Sequence, residues 1–211
     1  MENGEKPKAF RLFVAISPPD DVKSEIEKIQ RQLRAALPGN FIRWTKPAQF
    51  HLTLKFLGDI AESRIAELIE VLRVTCGRCA PLRLRAEQVG FFPGARAPRV
   101  LWGGVHDEQG LLPRFQQAVE TNTIEFTMEK YGSAAGKSAS RREKFTGHIT
   151  LGRIPNINRS QSETVAEAVS GVAREFFGEW IADTVELIRS ELSSAGSRYT
   201  TLAAIPLSGN A

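Results

Sequence analysis

The chain has 211 residues, 42% hydrophobic and 25% charged, which is the composition of a globular protein with a sizeable core. Its formal charge of +4 permits a polyanionic partner without demanding one. No apolar run approaches the ~20 residues of a membrane helix. Residues 1–8 lack the apolar stretch of a secretory signal, and the two cysteines suit a reducing compartment. We therefore expect a cytoplasmic protein that does not contact membranes.

Strand and helix patterns alternate along the chain. The predicted strands cover residues 10–16, 41–44, 51–57, 82–91, 100–105, 124–128, 145–151, 184–192 and 199–207. The predicted helices cover residues 22–37, 65–72, 111–121 and 162–177, and Ser17 is the predicted N-cap of the first. Residues 1–9 are expected to form a flexible N-terminal segment, and residues 131–143 a loop rich in Gly, Ser and basic residues.

Two of the three histidines lie in matched phrases, His-Leu-Thr-Leu at residues 51–54 and His-Ile-Thr-Leu at residues 148–151. In a strand, residues i and i+2 share a face, so His51 projects with Thr53 and His148 with Thr150. The intervening apolar residues would face a core. Two such strands brought together would pair an acid with a base.

These patterns predict an α+β fold over residues 1–211, a single bilobed domain. We expect two similar lobes of antiparallel sheet with helices packed outside, related by a pseudo-two-fold axis and an approximate internal duplication. Each lobe would carry one histidine phrase, with a catalytic cleft between the lobes. Strict alternation places Lys55 on the face of Thr53. It places Arg153 on the other face of the strand from His148, unless Gly152 breaks the pleat.

The phrases and their surroundings resemble the 2H phosphoesterase superfamily, in particular its RNA 2′,3′-cyclic phosphodiesterase branch, historically called 2′-5′ RNA ligases. The similar segments are residues 11–15, 43–44, 50–58, 99–102 and 145–153, with Ser190, Leu192, Gly196 and Tyr199. The chain departs from the family at Gly147, where a proline is usual, and in a longer stretch before Phe145.

The resemblance implies hydrolysis of a 2′,3′-cyclic phosphate at RNA ends to a 2′-phosphomonoester. His51 would be the general acid and His148 the general base, although the residues alone leave the two roles interchangeable. The phosphate-binding residues would be Thr53, Thr150, Arg153 and Lys55. We expect no metal and no cofactor, because the two phrases lack the carboxylates that hold a catalytic magnesium ion. The expected partners are RNA ends or small cyclic nucleotides, with no obligatory protein partner and a monomeric chain.

Three alternatives stay open: a reversible 2′-5′ RNA ligase acting on tRNA halves, a non-catalytic RNA-end binding module, and a zinc protein using His51, His148 and Cys79. Cys76 and Cys79 are otherwise read as incidental thiols, because a structural zinc site needs a second pair. For the remaining candidate side chains, we consider a purely structural interpretation at least as good as a functional one. The interpretations are a surface turn for His106, core packing rather than base stacking for Trp44 and Phe50, and a soluble loop or an RNA-steering patch for Lys137, Arg141, Arg142 and Lys144.

Overall fold

The computed structural model describes residues 8–37, 39, 41–127, 145–155, 157–193 and 196–210. In these ranges the strands are β1 Ala9–Ile16, β2 Arg43–Trp44, β3 Leu52–Ala61, β4 Leu82–Phe92, β5 Val100–His106, β6 His148–Arg153, β7 Phe176–Ala182, β8 Thr184–Ser193 and β9 Gly196–Pro206. The α-helices are α1 Asp20–Ala36, α2 Ile65–Cys76, α3 Leu111–Asn122 and α4 Arg159–Ser170. Single 3₁₀ turns cover Pro47–Gln49 and Glu62–Arg64.

The strands form one antiparallel sheet in the order β7-β4-β5-β6-β3-β1-β8-β9, and β2 pairs with the end of β6. Among the described residues, β3 and β6 are joined by the single pair Leu52–Ile149, and the sheet divides there. We call β3, β1, β8 and β9 the first lobe, and β6, β5, β4 and β7 the second lobe. The predicted α+β fold of two antiparallel lobes is confirmed.

The helices cover the lobes in a crossed arrangement. In the first lobe α3 packs on β3 and α2 on β9, while α1 packs on β7 of the second lobe and contacts α4. The order strand, helix, histidine strand, helix occurs twice, as β1-α1-β3-α2 and as β5-α3-β6-α4. In each unit the first helix covers the other lobe, so the lobes are not the two halves of the chain. None of the described helices is long and apolar enough to cross a membrane.

Helix α1 illustrates how the apolar spacing determines packing. Its buried side chains include Val22, Ile26 and Ile29, the predicted face. The predicted N-cap is wrong, because the helix begins after Pro19 without a side-chain cap. The hydroxyl of Ser17 instead donates to the carboxylate of Glu186 in β8.

Three element predictions are corrected. The strand expected at residues 124–128 is helical over residues 125–127, where the Thr127 N–H donates to the Ile124 carbonyl at 3.0 Å, and Met128 lies outside the described residues. The helix expected at residues 162–177 ends at Ser170, and Phe176 already begins β7. Strand β3 continues past its expected stop to Ala61. The flexible segment predicted at residues 1–9 ends earlier than expected, because Ala9 already begins β1. Residues 1–7 and the predicted loop at residues 131–143 lie outside the described residues.

Candidate active site

The two histidine phrases meet where the lobes join. Leu52 faces Ile149 across the junction, and both side chains are buried in the core. Because the strands are antiparallel, His51 lies beside Thr150 and Thr53 beside the second histidine, on the face turned away from the core. The four predicted residues of the two phrases are therefore gathered around one point.

A β-bulge at Leu54 reverses the alternation after the first phrase. Ala15 of β1 faces Thr53 while the preceding Val14 faces Lys55, so Leu54 is an extra residue in β3. Cross-strand partners share a face, and Val14 belongs to the core. The prediction that Lys55 shares the face of Thr53 is therefore wrong.

Lys55 is buried against helix α3, at a point where it also lines the cleft. Its ammonium donates to the main-chain oxygen of Glu120 at 3.0 Å and lies 3.3 Å from the carboxylate of the same residue. Burial lowers the pKa of Lys55, and the Glu120 carboxylate opposes that effect. The contact stabilises the C-terminal end of α3, where main-chain carbonyls lack helical partners.

A matching bulge at Leu151 turns Arg153 into the cleft. Consecutive residues of β5 face Thr150 and Gly152, so Leu151 is extra and Arg153 returns to the face of Thr150. Strict alternation predicted the opposite face. Gly152 is required for a different reason, since a Cβ there would collide with Cγ2 of Ile42.

Aromatic rings surround both imidazoles. The ring of His51 lies 4.9 Å from Phe13 and 5.4 Å, edge-on, from Tyr199. The ring of His148 lies 4.9 Å, edge-on, from Phe92. These contacts restrict ring rotation and remove water from one side of each imidazole.

Each imidazole also donates to a main-chain carbonyl two residues earlier in the chain. Nδ1 of His51 lies 2.7 Å from the Gln49 oxygen, and Nδ1 of His148 lies 2.8 Å from the Thr146 oxygen. A carbonyl only accepts hydrogen bonds, so Nδ1 carries the proton in both rings. In the neutral form, Nε2 of each ring then has the free lone pair that proton transfer requires.

The electrostatic surroundings favour the neutral form of both imidazoles. Burial lowers the pKa of His51 and of His148 below the ordinary value of 6.5, and the positive charge of Arg153 lowers both further. The main-chain acceptors raise both pKa values in part. The neighbouring second imidazole also lowers the pKa of His51, so the two rings titrate as a pair.

One carboxylate distinguishes the two histidines. Glu186 lies on the cleft face of β8, opposite Ala15, and accepts hydrogen bonds from the hydroxyls of Ser17 and Thr201. Its negative charge raises the pKa of His51. In the described ranges, no carboxylate raises the pKa of the second histidine.

Two hydroxyls and two compartments complete the site. Neither Thr53 nor Thr150 has a side-chain hydrogen-bond partner in the described part of the chain, so both hydroxyls are available to a ligand.

The cleft has two compartments. The first, which we call the polar compartment, has a volume of about 500 Å³ and lies next to His51; its lining includes Arg11, Phe13, Arg153, Ser190 and Tyr199. The apolar compartment, of about 770 Å³, is lined by Thr53, Phe92, Pro93, Val100, Phe145 and His148 among others.

Several other predicted candidates lie away from this cleft. Phe50 is buried in the core and Trp44 packs against it beneath the Arg34 guanidinium, which confirms core packing for both. His106 ends β5 half-exposed, 3.5 Å from a carboxylate oxygen of Glu87. The basic residues at positions 137–144 lie outside the described residues.

The cysteines do not join the histidines. Cys76 and Cys79 are free thiols at the end of α2, and burial raises the pKa of Cys76 to about 12. Cys79 lines a separate groove with Leu111 of α3. Across the described ranges, no three His, Cys, Asp or Glu residues are placed to hold a metal ion. The alternative of a zinc site at His51, His148 and Cys79 is therefore wrong.

Comparisons with known proteins establish the family of the chain. Residues 16–102 match the family described as LigT like Phosphoesterase. A protein of Archaeoglobus fulgidus named RNA 2′,3′-cyclic phosphodiesterase is 31% identical over 194 residues, which cover 92% of this chain and 98% of that one. The chain belongs to the LigT-like phosphoesterase family. It is accordingly a phosphoesterase, a hydrolase.

Other LigT-like relatives cover the chain almost completely. A protein of Aquifex aeolicus with the same name is 28% identical over 202 residues, 96% of this chain and all of that one. A crystal structure of a Thermus thermophilus protein superposes with a TM-score of 0.74 at 28% identity, covering 95% of this chain and all of that one. The similarity therefore includes both lobes.

Glu186 and Phe92 contribute to the site without any signal in their own segments. Glu186 is one of 24 acidic residues and is distinguished only by the cross-strand register that sets it on the cleft face. Phe92 lies one residue beyond the strand predicted at residues 82–91, and the structure places it at the end of β4. Each residue can be recognised as part of the site only when the strand that pairs with its own strand is known.

Proposed function

We propose that this LigT-like phosphoesterase hydrolyses the 2′,3′-cyclic phosphate at RNA ends to a 2′-phosphomonoester, using two histidines and no metal. The observation that carries the proposal is the pair of imidazoles beside the Leu52–Ile149 junction, each with Nδ1 held by a carbonyl and Nε2 available. The names of the relatives from Archaeoglobus fulgidus and Aquifex aeolicus support the substrate class.

The two rings divide the proton transfers. Nε2 of His148 accepts a proton from water as the water oxygen attacks phosphorus. The bond from phosphorus to the ribose 3′ oxygen breaks on the opposite side, as an in-line displacement requires, and Nε2–H of His51 protonates the leaving oxygen. The hydroxyls of Thr53 and Thr150 donate to the non-bridging oxygens, where negative charge develops. One proton returns from solvent to His51 before the next turnover, and one leaves His148.

Glu186 supports this assignment of roles. A general acid must hold a proton before the reaction, and a nearby carboxylate favours the protonated imidazole. The Glu186 carboxylate acts in this way on His51, whereas Arg153 opposes protonation of both rings. Glu186 thus favours the acid role of His51, but it is the smallest of the influences on that pKa, so the assignment of His51 as acid and His148 as base rests mainly on the family resemblance.

The test is product analysis with a defined substrate. The purified protein would be incubated with a dinucleotide ending in a 2′,3′-cyclic phosphate, in the presence of a strong chelator, and the products separated against 2′- and 3′-phosphate standards. We expect the 2′-phosphomonoester alone. A 3′-phosphomonoester, or loss of activity in the chelator, would overturn the proposed reaction.

Removing either threonine hydroxyl should slow the reaction. We expect Thr53→Ala and Thr150→Ala to lower kcat by about tenfold to a thousandfold, since each removes a donor to the developing charge. Thr164→Ala is the matched control, because that hydroxyl is exposed on α4 and bonds to the Ser160 carbonyl. Steady-state kinetics would check this, and a threonine variant as active as the control would remove that residue from the mechanism.

A second reaction is supported by the size of the apolar compartment. A water molecule occupies roughly 30 Å³, whereas this compartment beside His148 has about 770 Å³. An RNA 5′-hydroxyl could bind there and attack in place of water, joining two ends through a 2′-5′ phosphodiester. Adding half-tRNAs to the same assay would reveal this ligation as a longer RNA.

A further inference from the structure

Strand β2 brings a second arginine next to Arg153. The pair Arg43–Arg153 joins β2 to the end of β6. The side chains of Ile42 and Trp44 lie on one side of β2, where they pack in or against the core. Gly152 faces the same side of β2. Side chains alternate along a strand, so Arg43 projects to the opposite side, the cleft face that Arg153 occupies.

This arrangement leaves two positive charges uncompensated. Like charges directly opposite each other across two strands destabilise a sheet. In the described part of the chain, neither Arg43 nor Arg153 makes an ion pair. Arginines elsewhere on the sheet do so, such as Arg85 with Glu179 at 2.6 Å and Arg189 with Glu191 at 2.6 Å. The cross-strand pair is thus built to receive an anion.

The pair lies beyond the reactive phosphate. The bulge at Leu151 places Arg153 two ladder steps beyond Thr150, because the two residues face Val100 and Trp102 of β5, and this is about 7 Å along the strand. The reactive phosphate is held between the two histidines and the two threonines at the junction. Arg153 lines the polar compartment next to His51, the side on which the leaving 3′ oxygen and the ribose that carries it lie in the proposed reaction. An anion at the arginine pair would therefore belong to the next position of the same nucleic acid strand.

We propose that Arg43 and Arg153 bind a second phosphate, the one attached to the 5′ oxygen of the nucleoside that carries the cyclic phosphate. The inference rests on the proposed function and specifies its substrate class. A planar guanidinium pair suits phosphate oxygens, because each arginine can donate two parallel hydrogen bonds. The preferred substrate is then an RNA end or a 5′-phosphorylated nucleotide, and a nucleoside 2′,3′-cyclic phosphate without this second phosphate is a poor one.

Binding of the reaction product tests the second site without requiring turnover. Titration calorimetry would compare adenosine 2′-monophosphate, adenosine 2′,5′-bisphosphate and a dinucleotide ending in a 2′-phosphate. For the wild-type protein we expect the last two ligands to bind at least about tenfold more tightly than the first, the value of one charge-assisted contact. In Arg43→Gln that advantage should fall to about twofold or less, while the monophosphate affinity changes by less than about threefold.

Lys46→Gln provides the matched control. It removes the same charge from the same segment, but Lys46 lines a groove with Arg31 and Arg34 of α1. The advantage of the second phosphate should survive in this variant and persist in part in Arg43→Lys. The salt dependence should also weaken in Arg43→Gln, by about 0.7 in the slope of log affinity against log salt concentration.

Each alternative outcome has a distinct meaning. The second-phosphate site is wrong if the wild-type protein binds all three ligands equally or if Arg43→Gln keeps the advantage. It is also wrong if that variant weakens all three ligands alike. Loss of the advantage for the dinucleotide alone would assign Arg43 to a sugar or base instead. Failure of the proposed function would appear separately, as an absence of cyclic-phosphate turnover.

Discussion

At the scale of single residues, each reactive histidine is oriented by the main chain just before it. The carbonyls of Gln49 and Thr146 hold Nδ1 of the two rings, and Gln49 is itself anchored through its side chain to the Ser197 carbonyl of β9 at 2.5 Å. A main-chain acceptor fixes the tautomer without adding a negative charge. The pKa values of the rings are therefore set mainly by burial and by the nearby charged side chains.

The pH dependence follows from those pKa values. Burial and Arg153 lower the pKa of both His51 and His148 below 6.5, and Glu186 partly restores that of His51. Catalysis needs one ring protonated and one neutral, so kcat/KM should peak below pH 6.5 and fall as the pH rises. Because a bound anionic phosphate favours the protonated rings, the kcat profile should lie at higher pH than the kcat/KM profile. A kcat/KM maximum above pH 7 would contradict this electrostatic account.

Replacing Glu186 separates the acid from the base. Glu186→Gln keeps an acceptor for Ser17 and Thr201 but removes the charge that favours protonated His51. If His51 is the acid, the falling limb of the kcat/KM profile moves to lower pH and the rate at pH 7 declines. If His51 were the base, the rising limb would move instead.

The control for this substitution is Glu191→Gln on the same strand. Glu191 pairs with Arg189 and lies on the face of β8 that points away from the cleft. Its pH profile should match that of the wild-type protein. An equal, pH-independent loss of activity in Glu186→Gln would reduce that residue to a structural role.

At the scale of secondary-structure elements, the two bulges explain why the sequence predicted the histidines better than their basic neighbours. Alternation is correct up to Thr53 and Thr150 and fails one residue later, because Leu54 and Leu151 are extra residues in their ladders. A leucine suits a bulge as well as a regular pleat. Its position is set by the neighbouring strand, which a single segment does not specify.

The elements that were misassigned have a similar cause. The long apolar spacing that predicted a helix through residue 177 is interrupted after Ser170, where residues 171–174 turn. Phe176 and Phe177 then join β7, which pairs with β4, a contact about 90 residues away. Local propensity could not reveal that pairing. The helices α1, α2 and α3, whose apolar faces are continuous, were predicted to within a few residues.

Gly147 allows the second histidine strand to approach β5. A Cβ at this position would collide with the carbonyl oxygen of Val105, whose N–H bonds to the Gly147 oxygen at 2.8 Å. We expect Gly147→Ala to lower the free energy of unfolding by about 1–3 kcal/mol, because the main chain must shift. The shift would also displace the Thr146 carbonyl that holds His148, so kcat should fall with stability.

Gly94→Ala is the control for this substitution, since nothing lies within 4 Å of a Cβ there. Urea unfolding and kinetics of both variants would check the prediction. A Gly147→Ala protein as stable and active as Gly94→Ala would show that the tight approach to β5 is not needed.

At the scale of the whole molecule, the acid and the base come from different lobes. His51 immediately precedes β3 of the first lobe and His148 begins β6 of the second. Helices α1 and α3 each follow a strand of one lobe and cover the other lobe. The junction is therefore surrounded by helices and strands from both lobes. The relative position of the imidazoles is therefore built into the core rather than left to a mobile linker.

The account depends most on both imidazoles acting on one phosphorus atom. The most direct test measures kcat on a cyclic-phosphate dinucleotide for His51→Ala, His148→Ala and the double variant, after circular dichroism has established that each is folded. We expect each single variant to lose at least about a thousandfold, and the double variant to be no more than about threefold worse, because groups that act as a unit are not additive. Either single variant retaining more than about a tenth of the wild-type kcat would contradict the account.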